Sequence, residues 1–370
     1  MAILAAICAI LLIVTALWDV FETIVLPRRV ARRLRMAALV YRVTWKPWST
    51  LARHMRAGNR RETFLSLYGP LAFLFVLGAW ACVLILGFAL FQWALGTQLT
   101  SVEGHAGFGT DLYMSGTTFF TLGLGDVYPH GPLPRILTVI EAGTGFGLLA
   151  MVIGYLPVLY QAFSRREVNI SLLDARAGSP PSAVELLRRY GQDRNMEALQ
   201  VLLRSWETWA AELMESHVSY PSLGYFRSQH EHQSWVAALT TILDVCALAM
   251  VGIDDISPQS ARLTFAMARH AAVDLSQVFG THPDDEKIVA KRLKPEELVQ
   301  LRALLAAAGV PLREGITADQ KLEKLRGMYE PYVKALAADL LMPLPPWLPL
   351  PDGADDWQTS VWEHAPVTRV

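Results

Sequence analysis

The stretch SGTTFFTLGLGDVYPHG, residues 115–131, gathers the residues most able to do chemistry. Thr117, Thr118 and Thr121 lead into Gly123 and Gly125, set two apart, and Asp126 follows directly. Glycine enters backbone regions closed to other residues, so the pattern asks for unusual backbone freedom in a loop flanked by apolar segments. The other candidate groups are weaker. His217, His230 and His232 fall close together, but no cysteine joins them and His230 and His232 point to different helix faces, so solvated or capping roles are expected. Cys8, Cys82 and Cys246 lie in apolar runs without C-x-x-C spacing and read as small buried hydrophobes. GTGFG at 143–147 follows no strand and is no nucleotide loop, and no nucleophile–base–orienter set or P-loop stands out. No catalysed reaction, no cofactor and no nucleic-acid partner are expected.

The elements around the motif belong to a membrane. Of the 370 residues, 52% are hydrophobic and only 18% charged, too apolar for an ordinary soluble domain. Residues 1–27 form an N-terminal transmembrane helix; at about 1.5 Å per residue, Ala2 to Leu26 can cross a ~30 Å hydrocarbon core with some tilt. No basic region precedes it and no small-x-small site follows, so an uncleaved span is favoured over a signal peptide. Asp19 and Glu22 share a face near its end, where pairing with nearby arginines is expected. Two further spans run from Tyr68 to Leu95 and from about Leu133 to Phe163. Residues 28–61 hold ten arginines and Lys46 without an acid, whereas 94–134 hold Glu103, Asp111 and Asp126 without a lysine or arginine. The positive-inside rule then places the basic loop, 28–64, in the cytoplasm, the N-terminus outside, the C-terminus inside and the glycine motif on the outer face of the cell membrane. Arg28, Arg29, Arg32 and Arg33 lack the every-third spacing of a voltage sensor.

Before the glycines, TDLYMSGTTFFT can start a helix at Thr110, whose hydroxyl could cap it, with Asp111 at the positive end of the dipole. Non-helical backbone at membrane depth survives only if it is buried or lines a wet cavity. Thr118-x-x-Thr121-x-Gly123-x-Gly125-Asp126 resembles the pore signature of potassium channels, usually written TVGYG or TVGFG. The flanks are similar too, since GDVYP is followed by Arg135 and a glycine-bearing helix; the resemblance covers roughly residues 65–165.

The resemblance implies an all-α membrane protein whose pore domain, 65–166, holds an outer helix at 68–95, a pore helix at 110–120, a filter at 121–126 and an inner helix at 133–163. In that family a potassium ion sheds its water onto rings of carbonyl oxygens. Thr121, Leu122, Gly123 and Leu124 would supply these as the K+ ligands, with Gly125 also in the ion-binding filter and the Thr121 hydroxyl closing the inner end. One chain has one such loop, so a homotetramer is implied. Thr118 and Asp126 would support the filter and its mouth, Asp126 raising local cation concentration. Leu124 departs from the usual tyrosine or phenylalanine and removes a brace. Thr117 stands where some members carry a glutamate, and Tyr113 is the candidate partner for Asp126 instead. Glu141, the one acid within the third span, is open between a brace behind the filter, toward Thr117 or Thr118, and a cation-attracting cavity residue. Gly143, Gly145 and Gly147 are open between close packing and a hinge; Gly145, Gly154 and Pro157 are the gating-hinge candidates.

Beyond the pore, 174–183 reads as a turn-rich linker, and Ser182 with Glu185 as a capping box. Apolar residues then recur at helical spacing near 183–190, 194–216, 227–251, 258–278, 296–308 and 318–341, giving a cytoplasmic helical domain at 184–342 and a Pro-rich tail at 343–370. Residues 235–253 could pose as a fourth span, but Asp244 at the centre favours a buried soluble helix. No βαβ alternation suggests dinucleotide control. The expected function is a passive, potassium-selective tetrameric channel with K+ as permeant ion, membrane lipid and its own copies as partners, and gating through a cytoplasmic ligand or protein left open. The alternatives are a weakly selective cation channel and a non-conducting receptor or scaffold on the same fold.

Overall fold

The computed structural model describes residues 1–26, 35–101, 107–230, 232–253, 256–281, 283 and 292–350. Arg28, Arg29, Arg32, Arg33, Glu103 and the 351–370 part of the Pro-rich tail lie outside the described residues. In chain order the helices are α1 (Ala2–Val20), continued by a π-helical turn at Phe21–Val25, α2 (Met36–His54), α3 (Asn59–Ser66), α4 (Tyr68–Ala94), α5 (Phe108–Phe119), α6 (Pro132–Ala177), α7 (Ala183–Gln192), α8 (Met196–Ser219), α9 (Trp235–Gly252), α10 (Pro258–Val278), α11 (Pro295–Ala307), α12 (Ile316–Gly327) and α13 (Glu330–Leu340). Two short strands, β1 (Leu99–Ser101) and β2 (Val127–Pro129), pair antiparallel with Thr100 opposite Tyr128. The chain is an all-α membrane protein.

It divides into two units, Met1–Thr50 with Leu67–Gln161, and Leu51–Ser66 with Ala162–Val370. In the first, α1 lies against α4 and the backbones approach closely at Gly87, where an added Cβ would meet Ile13 Cγ1 at 2.8 Å. Ala16, Val20, Val76, Trp80, Leu84, Phe88, Phe119, Leu137 and Leu148 form its core. Among the described residues Asp19 pairs with no arginine: it accepts from the α2 amides of Met36 and Ala37 at 2.9 and 3.0 Å and from Trp80 Nε1 at 2.8 Å. A buried carboxylate finds in a helix N-terminus the unsatisfied donors it needs. Glu22 accepts from Trp18 Nε1 at 2.6 Å and lies 4.0 Å from Arg35.

The second unit packs α7 to α13 around α9. Among the described residues four helical stretches are long and apolar enough to cross a membrane, Ala2–Val25, Asn59–Ala94, Pro132–Ala177 and Trp235–Gly252. The fourth differs in being 89% buried inside the protein. A helix clothed on every side has no surface left for lipid. Ser182 caps α7, accepting from Glu185 N at 3.4 Å, but Glu185 turns away to Arg188 and Arg189 instead of closing the reciprocal half of a capping box. The expected helices near 227–251 and 318–341 are trimmed: the first begins only at Trp235, where Ser234 accepts from Ala237 N at 3.0 Å, and the second breaks between Gly327 and Glu330. The inner helix, expected to end at Phe163, continues to Ala177, because Ile170 and Leu173 keep a helical apolar stripe beyond the arginines and bury it in the second unit.

Candidate functional site

The glycine loop follows α5, which begins two residues before Thr110. Gly107 is the N-cap, in extended conformation, and the Thr110 hydroxyl reaches back to accept from Gly107 N at 3.4 Å. Asp111 sits buried in the first turn. At the other end the Thr118 and Thr117 carbonyls accept from the amides of Thr121 and Leu122 at 2.9 and 2.8 Å, folding the chain back on the helix that delivered it. From there the backbone alternates: Thr121, Gly123 and Gly125 take positive φ of 55°, 54° and 79°, whereas Leu122 and Leu124 do not. Left-handed residues interleaved with ordinary ones turn successive peptide units the same way, and glycine takes that conformation at least cost. Residues 121–125 are all exposed, and among the described residues no donor engages their carbonyl oxygens. A cation held here would be held by backbone oxygen, since no His, Cys, Asp and Glu cluster suited to a metal occurs among the described residues.

Several braces hold this loop. Tyr113 OH donates to Asp126 Oδ2 at 2.9 Å, tying the middle of α5 to the end of the glycine run. Glu141 is fully buried on α6 and meets Ser115 of α5, not Thr117 or Thr118. Ser115 Oγ lies 2.8 Å from the Ile85 carbonyl as well, so α4, α5 and α6 converge on one hydroxyl. Thr117 instead turns its hydroxyl back to Met114 O at 3.0 Å. Gln92 of α4 donates to Pro134 O at 3.2 Å and accepts from Thr97 at 2.9 Å, and the β1–β2 pair closes the loop's flanks. Gly145 is a packing seat: a Cβ there would sit 2.0 Å from the Phe119 carbonyl oxygen. Gly154 has no such neighbour, and α6 runs through it and through Pro157 as one helix.

Residues 73–161, which hold this loop and most of the two membrane-length helices flanking it, are similar to a family described as ion channel. The chain is also similar to the uncharacterized membrane protein YdjJ of Bacillus subtilis (strain 168), at 22% identity over 193 residues. The match takes in 52% of this chain and 56% of the relative, so the chain spans little more than half the length of the protein it matches. No solved structure matches.

Sequence reasoning missed Ser115, Gln92 and Trp80. Ser115 lay inside the quoted motif; its signal was helical, since it stands one turn before Phe119 on the face that packs inward. His217 was expected to be solvated and is instead buried. Its Nε2 lies 3.1 Å from Arg166 Nη1 and its Nδ1 2.9 Å from Leu213 O, and Arg166 donates onward to the Leu223 and Phe226 carbonyls at 2.8 Å each. Burial, with the Arg166 charge beside it, holds His217 well below its ordinary value. Neutral imidazole fits both contacts, donating from Nδ1 and accepting at Nε2. His230 and His232 are exposed.

Proposed function

We propose that copies of this chain assemble as a tetramer around residues 121–125 and pass potassium ions down their gradient. The observation that carries the proposal is the alternation of positive φ at Thr121, Gly123 and Gly125 beside carbonyls that no donor engages. Irregular backbone with open carbonyls is tolerated between membrane spans where it lines a wet path, and a ring of such oxygens can replace the hydration shell of a cation. Asp126, held by Tyr113, would keep a negative charge at the mouth. Since α6 contributes residues to both units, the second unit is proposed to bias opening.

A weakly selective cation pore is the second proposal, and Leu124 favours it. Its side chain is 64% exposed and carries neither a ring nor a hydroxyl to stiffen the loop. A flux assay on the full chain in vesicles, with potassium and sodium gradients in turn, decides between the two. A Gly123→Ala chain that assembles normally is expected to lose flux, because its φ of 54° disfavours any Cβ. Normal flux from that variant would refute the pore assignment; equal passage of both ions by the native chain would refute potassium selectivity while keeping the channel.

A further inference from the structure

We infer that the outward face of α2 is a docking surface for an anionic phospholipid leaflet. Three observations converge on it. The first is the composition of that face. Leu39, Arg42, Val43, Lys46 and Pro47 are all exposed and fall at helical spacing on one side, while Ala37 and Trp45 on the other are buried. Leu39 and Val43 are 54% and 60% exposed, more apolar surface than water alone would favour beside two cations.

The second is where the helix is held. Asp19 of α1 caps its first amides, the Tyr68 hydroxyl at the start of α4 donates to Tyr41 O at 3.0 Å, and the Trp45 and Tyr68 rings lie 4.7 Å apart. Both helices that grip α2 are of membrane-spanning length and composition. The grip fixes α2 where those spans leave the hydrocarbon, with its other face turned away from protein. The third is charge. Residues 28–61 contain ten arginines and a lysine and no acid, and neither Arg42 nor Lys46 meets a carboxylate among the described residues. Apolar side chains sunk at the acyl boundary beside cations at phosphate level is how a helix lies in an interface rather than across it. The occupant is therefore lipid, with the anionic headgroups answering Arg42 and Lys46. The inference does not require the pore to conduct.

The test reads lipid contact directly. In a full chain with Cys8 and Cys82 replaced by serine, Val43→Cys carries a fluorescent bimane and is reconstituted in vesicles of phosphatidylcholine mixed with phosphatidylglycerol. Spin-labelled phosphatidylglycerol is expected to quench the probe several-fold more effectively than spin-labelled phosphatidylcholine. Arg42→Gln with Lys46→Gln should erase that several-fold preference, and Arg42→Lys should keep it. Two results would overturn the inference. Absence of quenching by either lipid would mean that water or a second copy covers the face; equal quenching by both would mean that no headgroup is selected.

Discussion

Helices α1 and α9 are both long apolar runs with one buried aspartate, yet they live in different solvents. In α1 only 22% of the most apolar window is buried inside the protein, against 89% in α9. Asp19, near the end of α1, is satisfied by two amides of a neighbouring helix and an indole. Asp244, at the middle of α9, meets Arg292 and the Tyr329 hydroxyl, and Arg292 in turn lies 4.9 Å over the Trp347 ring. Hydropathy therefore decides that a helix leaves water, but not for what. The rest of the chain decides that, by supplying or withholding a coat. Around α9 the chain supplies α7, α8, α10, α12 and α13, and the counter-charge for a carboxylate; beside α1 it supplies α4 on one side and leaves much of the remaining surface uncovered.

The comparison breaks most sharply at the two aspartates. Asp244→Ala removes the counter-ion of a buried arginine and is expected to destabilise the second unit by about 3–5 kcal/mol, whereas Asp19→Asn, which keeps one acceptor oxygen for the α2 amides, should cost about 1–2 kcal/mol. Thermal melting of the full chains in detergent, followed by tryptophan fluorescence, ranks them; equal losses would mean that α9 is not the more deeply committed helix.

Close-packed glycines test the same contrast at smaller scale. Gly145→Ala presses a methyl onto the Phe119 backbone carbonyl, which cannot move without moving the pore loop, and about 1–3 kcal/mol with a fall in flux is expected. Gly224 of the second unit faces the tip of the Phe279 ring, at 2.0 Å for an added Cβ, and a side chain can swing about its Cα–Cβ bond where a backbone carbonyl cannot. Gly224→Ala should lower melting without changing ion selectivity. A selectivity change from Gly224→Ala, or none from Gly145→Ala alongside normal flux, would reverse the assignment of these seats.

The smallest effect expected is one of pH. His217 is held neutral in the folded chain, below its ordinary value of 6.5. The unfolded chain therefore binds the proton first, and the stability due to neutral His217 is complete above about 6.5 and declines as pH falls below it. His217→Gln, which keeps an acceptor for Arg166 without titrating, should flatten that decline. Melting measured across this range, native against variant, checks it, and parallel curves would show that another group sets the slope.

Much of the pore was legible because it is local. The positive φ at Gly123 and Gly125 follows from residue type, and the helix before them from a run of helix-compatible residues ending in threonines. What escaped is long-range. Nothing near Asp19 announces that it caps a helix beginning at Met36, and Glu141 chose Ser115 over two threonines because α5 turns that residue, not its neighbours, toward α6. The inner helix outran its expected end because Arg165 and Arg166 look like a membrane stop. Arg166 is instead buried against the carbonyls of Leu223 and Phe226, so a charge that usually marks water marks a core.

The open carbonyls of residues 121–125 have a genetic corollary. In the proposed tetramer, a feature that each chain supplies once, and that works only when every copy presents it, makes a faulty allele dominant. Co-expressed with the native chain, Gly123→Ala subunits that still assemble would spoil most rings they enter, so flux should fall far more steeply than the dose of mutant gene. A loss that merely tracked that dose would mean that each chain acts alone.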